Sequence, residues 1–188
     1  MAAFAENGYA ATRVDDVARR AGVSKGLLYL YFKTKEELFK SVVRSFVVPK
    51  ITQLASNIDQ SDLGAEEFIR GPFLAFIKSL PNSPARVVIR LLIAEGPKHP
   101  DLTAFYWENV VSQGLGAMRT LIARGIENGE FRKTALEDFP QLLLTPVLFS
   151  VIWKLIFEQH QSLDTDRLLE VHIDLMLEHL KFAPGESR

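Results

Sequence analysis

Between Thr12 and Glu37 the chain reads TRVDDVARRAGVSKGLLYLYFKTKEE, a stretch that suits two short helices folded about a Gly22-Val23 turn and little else. Thr12 is placed to cap a helix through its hydroxyl, with Asp15 three positions on completing a capping box, so a first helix is expected from Arg13. Val14, Val17, Ala18 and Ala21 fall at i, i+3, i+4 and i+7 and form one apolar stripe, opposite Asp15, Asp16, Arg19 and Arg20. Gly22 accepts positive φ at the helix end. Ser24 then caps a second helix that turns Leu28 and Phe32 inward and leaves Lys25, Gly26, Leu27, Tyr29, Leu30, Tyr31 and Lys33 to a partner. Thr34 and Glu37 make a further capping box, for a helix beginning at Lys35.

The ordered series Gly8-Tyr9, Thr12, Val14-Asp15-Asp16-Val17-Ala18, Ala21-Gly22-Val23-Ser24, Gly26-Leu27-Leu28-Tyr29-Leu30-Tyr31-Phe32 and Lys35-Glu36-Glu37-Leu38 runs without a gap. It closely resembles the helix-turn-helix DNA-binding domain of the TetR/AcrR family of bacterial transcriptional regulators. The resemblance implies that the second helix enters the major groove of double-stranded operator DNA while the first crosses the backbone, with Thr12 and Arg13 at its start. Ser24, Tyr29, Tyr31 and Lys35 match the family's phosphate-contacting positions, and Lys33 adds charge beside them. Gly26 lets the helix approach closely, Lys25 reaches a phosphate or a guanine edge, and the apolar Leu27 and Leu30 suit thymine methyl groups. The resemblance also implies a homodimer, a small-molecule effector and a repressor that reads a palindrome. The alternative on these residues is a helical ligand-binding or scaffold protein that keeps the fold without specific DNA binding. The family's first helix normally starts well ahead of the Gly-Tyr pair, so the chain is expected to begin inside helix one. Either an upstream segment completes that helix, or the module is shortened and its core weakened around Phe4.

Charge follows the same division. Through Val48 there are 8 Lys and Arg against 5 Asp and Glu, a net of +3, whereas the remainder carries 14 against 18, a net of −4. Phosphate is met at the basic end, and so small an excess suits two copies acting together.

Beyond Glu37 apolar residues recur at helical spacing, no stretch alternates at strand length, and no repeat is evident. The fold expected is all-α: a three-helix DNA-binding module over residues 1–48 and a larger ligand-binding and dimerisation domain over 49–188. A connecting helix is expected from Lys35 to Ser56, another from Ala65 to Leu80 with a Gly71-Pro72 disturbance, a short one from Arg86 to Glu95, and a long one from Pro100 to Asn128-Gly129. Glu137 to Gln159 and Asp164 to Phe182 form the last pair. Pro146 is expected to kink the first of these.

That last pair is apolar around too much of its circumference for one core-facing stripe. Leu142, Leu143, Val147 and Ser150, with Leu168, Leu169, Ile173, Met176, Leu177 and Leu180, are therefore the expected dimerisation residues. Phe73, Phe76, Phe105, Trp107, Val111, Met118, Phe149 and Trp153 are candidates to line an aromatic pocket, and the scarcity of charge on these faces favours a neutral or hydrophobic effector.

Enzyme chemistry has no support in the residues. His172 and His179 share a helix face without a carboxylate-histidine metal motif, His99 and His160 stand alone, and no phosphate loop, nucleophile elbow or triad spacing occurs. No catalytic residue, metal or cofactor is expected. The chain has no cysteine, which is compatible with the cytoplasm, and its most apolar run, Pro146 to Phe157, is interrupted by Lys154 and too short to span a bilayer.

Overall fold

In the computed structural model, which describes residues 2–182, every regular element is helical. Met1 and residues 183–188, the outer ends of the two regions expected from the sequence, lie outside the described residues. Helix α1 (Ala2–Ala11) is interrupted at Gly8, whose φ of 72° and ψ of 176° belong to a region that side chains exclude. Across this break Thr12 is 1% exposed, and its hydroxyl donates to the carbonyls of Ala3 at 3.1 Å and Gly8 at 2.5 Å. Thr12 thus stitches the kink in α1 and does not cap α2 (Val14–Ala21). The start of α2 is held one residue later, where the Asp16 carboxylate accepts from the Arg13 N–H at 3.2 Å. A hydroxyl inside the module serves the nearest unsatisfied carbonyls, so burial overrode the local capping pattern. Thr12→Val, which removes this donor, is expected to lower stability by about 1–3 kcal/mol in thermal melting.

The other local signals act as written. Gly22 closes α2 at φ 68°, with the Val23 N–H donating to the Ala18 carbonyl at 3.1 Å. Ser24 caps α3 (Lys25–Tyr31) by accepting from the Leu27 N–H at 3.1 Å, and Thr34 caps α4 (Lys35–Phe46) by accepting from the Glu37 N–H at 3.1 Å. Glu37 reaches back to the Lys33 N–H at 2.6 Å and holds the α3–α4 corner. The expected connecting helix is divided: α4 ends at Phe46, Val47 turns the chain, and α5 (Val48–Gln60) starts with Pro49 in its first turn. There the missing N–H has no helical partner to lose.

The larger region begins with α6 (Ala65–Phe68), which passes through a π-helical turn, Ile69–Phe73, into α7 (Leu74–Ser79). Pro72, lacking an N–H, sits in this widened turn, which is the expected disturbance. Helix α8 (Ala85–Glu95) follows, and α9 (Pro100–Tyr106) continues through a second π turn, Trp107–Val111, into α10 (Ser112–Glu127). After a 3₁₀ turn over Pro140–Leu143 come α11 (Thr145–Ile156) and α12 (Thr165–Leu180). The helix expected from Glu137 therefore starts only at Thr145. Pro146 lies in its first turn, where it costs no hydrogen bond, so the kink expected there does not form.

Two cores result. In the first, Phe4, Tyr9 and Phe39 form a ring triad with centroids 5.9–6.2 Å apart, and Phe4 is 1% exposed. This cluster does not close on itself. It runs on into Val88 and Leu91 of α8 and Leu102 and Phe105 of α9, so the small helical module shares its core with the larger region. In the second core, Phe68, Phe73 and Ile77 meet Met118, Leu121 and Ile122 of α10 and Leu169, Ile173 and Leu177 of α12. The Glu130 carboxylate accepts from the N–H groups of Ala65 and Glu66, both at 3.0 Å, and pins the start of α6 to the end of α10. Among the described residues no helix is long and apolar enough to cross a membrane.

Candidate nucleic-acid interface and effector cavity

Helix α3 shows why a short helix can be nearly all apolar and yet stay outside a core. None of its residues is buried: Leu28 is half-buried against the module, while Leu27, Tyr29, Leu30 and Tyr31 are exposed, the last two at 67% and 70%. A helix that exposes two tyrosines and two leucines on one side is placed for a partner rather than for packing. The glycine at position 26 has open space where a side chain would begin. Lys25 pairs with Asp15 of α2 at 2.6 Å and lies 5.7 Å from the Tyr29 ring centroid, and the hydrogen bond to Asp15 raises its pKa. Ser24 and Lys33, at the two ends of α3, are exposed, as is Arg13 at the start of α2.

Two of the expected contact residues are placed differently. Thr12 is sealed in the module and cannot reach a phosphate. Lys35 directs its ammonium to the carbonyls of Tyr9 at 2.6 Å and Ala10 at 2.9 Å, and lies 4.5 Å from the Tyr9 ring centroid. Burial pushes this lysine below its usual range. Lys35 thus neutralises the negative end of α1 and ties it to α4, a joint formed by tertiary packing across 25 residues of chain.

A cavity of about 420 Å³ opens in the larger region, lined by α5, the two π turns, α7, α8, α10 and the start of α11. Of the expected lining residues, Phe73, Phe76, Val111 and Met118 face it. Phe105, Trp107, Phe149 and Trp153 do not. Phe105 is sandwiched in the first core, 4.8 Å from the Arg44 guanidinium and 5.7 Å from the Lys40 ammonium. Trp107 is 55% exposed. Phe149, Trp153 and Phe157 stack successively along α11 at 5.7 and 5.2 Å, and the Trp153 indole donates to the Gln161 carbonyl at 2.9 Å. The π turn explains the error on α9–α10: residues 107, 111 and 118 share a stripe on a regular helix, eleven residues being about three turns. One residue extra in the turn rotates the face, so Tyr106 and not Trp107 joins Met118 at the cavity. Val47, Tyr106 and Val110 are lining residues that periodicity alone missed.

The residues expected to dimerise divide in the same way. Leu143, Val147, Ser150, Leu169, Ile173, Leu177 and Leu180 are spent on the protomer's own interior, Ser150 donating to the Pro146 carbonyl at 2.7 Å; Leu168 and Met176 are half-buried, and Leu142 is exposed. The exposed apolar residues of the last two helices are Leu148, Phe149, Leu155, Ile156, Val171 and Leu175, with Leu142 in the turn before them. Val171 and Leu175, four apart and offset from the Leu169-Ile173-Leu177 stripe, were the signal in the sequence for that second face.

Comparison with known proteins places this geometry. A model of bacterial regulatory proteins of the tetR family matches residues 1–42, and a model of the tetracyclin repressor-like C-terminal domain matches residues 72–171. The HTH-type transcriptional repressor KstR2 of Mycobacterium tuberculosis is 31% identical over 135 residues, covering 70% of this chain and 64% of the relative. The chain thus spans a little under two thirds of the length of that relative. The fatty acid metabolism regulator protein of Bacillus subtilis is 35% identical over 131 residues, 69% of this chain and 66% of the relative. Among solved structures, the transcriptional regulator FadR from Bacillus subtilis in complex with stearoyl-CoA shares the fold with a TM-score of 0.73 at 20% identity, covering 95% and 94% of the two chains. With family models matched at both ends, one of them over more than half of the sequence, the chain belongs to the tetR family of bacterial regulatory proteins.

Proposed function

We propose that the protein is a sequence-specific transcriptional repressor that binds operator DNA as a homodimer and is released by a small, largely hydrophobic ligand. The observation that carries the reading is the shared wall between the two halves. Val47, the residue at which α4 turns into α5, lines the cavity and is also a buried member of the core that holds α1 and α4. A ligand filling the cavity therefore presses on the joint that aims α3. In the dimer two such helices, about 34–36 Å apart, read half-sites one turn of DNA apart. The effector acts by preferring the state whose spacing fits DNA poorly. A relative named for fatty-acid metabolism, and a structural neighbour holding stearoyl-CoA, agree with a lipophilic effector.

The test is a selection of bound genomic fragments at several salt concentrations, repeated with candidate lipophiles. The expected outcome is a palindromic site whose retention falls with salt and with one class of ligand. Absence of specific retention at every salt would mean that the fold is kept without operator recognition. The dimer surface has its own check. Leu175→Arg, at a residue 55% exposed in the protomer, is expected to leave the thermal melt intact and to convert the species seen by light scattering from dimer to monomer. A dimer that survives this charge would move the interface elsewhere.

A further inference from the structure

Nearly everything that faces the cavity is hydrocarbon or, at Met118, thioether. Among the described residues, Tyr106 is the one lining side chain with an oxygen or nitrogen atom. It ends α9 immediately before the π turn, and among the described residues no group donates to its hydroxyl or accepts from it. Burial pushes the phenol up to about 12, so at neutral pH it is a protonated O–H, a donor without a partner. The hydroxyl opens on the cavity without a protein partner among the described residues, so a bound acceptor takes the place of the water it meets there. Among the described residues the walls carry no lysine, arginine or histidine. An ionised carboxylate or phosphate in this space would stand without a counter-charge, at a far greater cost than a neutral oxygen.

Resting on the reading of this cavity as the effector site, we propose that Tyr106 is its polar anchor, donating its hydroxyl to the carbonyl oxygen of a neutral and otherwise apolar ligand. Ketones, esters and lactones meet the requirement, and an acid does so only in its neutral form. The anchor also has a route to the DNA-binding module, because Tyr106 packs against the core that contains Phe39 and Val43 of α4. A ligand held there is coupled to α4 through that packing.

The experiment uses 6-propionyl-2-dimethylaminonaphthalene, a neutral naphthyl ketone whose emission moves to the red when its carbonyl accepts a hydrogen bond. Titration into the full-length protein, Tyr106→Phe and the cavity-filling Val111→Trp is followed by fluorescence, with a thermal melt of each variant to verify folding. The expected result is red-shifted emission and tight binding in the natural protein, about tenfold weaker binding with bluer emission in Tyr106→Phe, and loss of binding in Val111→Trp. Equal affinity and emission in the natural protein and Tyr106→Phe, with binding still abolished by Val111→Trp, would overturn the anchor and leave the effector site standing. Binding untouched by Val111→Trp would overturn the cavity as the effector site and the anchor with it.

Discussion

Gly125→Ala is expected to destabilise the protein by about 3 kcal/mol, lowering its melting temperature by about 6–12 °C for a chain of this size. In a helix interior the same change ordinarily stabilises, because alanine loses less backbone entropy on folding than glycine. Here the added Cβ meets a wall: it would lie 2.2 and 2.5 Å from two ring carbons of Phe131 and 2.9 Å from the Ala65 Cβ. Phe131 is 1% exposed and Ala65 is fully buried, so neither can retreat. The same region holds Glu130 on the N–H groups of Ala65 and Glu66, and a shifted Phe131 would drag that carboxylate off the start of α6. Gly116, nine residues earlier in α10, has open space at its Cβ position. Gly116→Ala is accordingly expected to raise stability by about 0.5–1 kcal/mol. Opposite shifts in two melting curves measure the close approach of α10 to α6, and a neutral Gly125→Ala would contradict it.

Tyr31→Glu is expected to weaken operator binding by about a hundredfold with little change in the melt. Tyr31 is 70% exposed, with its ring 6.5 Å from that of Phe32, so its replacement removes little packing. If α3 meets DNA as proposed, the substitution would remove a hydroxyl donor from a phosphate and set a carboxylate beside it in each half-site of the dimer. About 1.4 kcal/mol lost per copy multiplies to the hundredfold figure. Because phosphates carry no sequence information, the loss should be the same for operator and random DNA, whereas Leu27→Ala should change preference instead. Gel retardation across a salt series separates the two. Retained affinity in Tyr31→Glu would show that the exposed side of α3 is not the face that meets DNA.

Lys35 marks the limit of motif transfer. Its position in the ordered series made it a phosphate contact, but its ammonium serves the end of α1, and no local pattern could reveal a partner 25 residues away. The capping residues Ser24 and Thr34 and the left-handed Gly22 were legible because their partners lie within a turn or so of chain. Periodicity grouped the candidate cavity residues by helix face, and packing decided which of those faces meets the cavity. Phe73 and Met118 were found, while the π turn over Trp107–Val111 exchanged Trp107 for Tyr106. On α11 and α12 hydrophobicity marked the residues as buried somewhere but did not distinguish the protomer's own core from a face left uncovered. Leu177 and Leu175 differ in that respect by the direction of two side chains on one helix, at 0% and 55% exposure.

The amino-acid sequence alone settled the all-helical class, the family and the position of the exposed helix, because caps, turns and helical periodicity are interactions among near neighbours in the chain. Packing settled everything that depends on distant segments: the core common to the small module and α8–α9, the assignment of Lys35 to α1, the break at Val47 and the walls of the cavity. Such contacts depend on where a helix face points after folding, and a single added residue in a turn is enough to rotate that face.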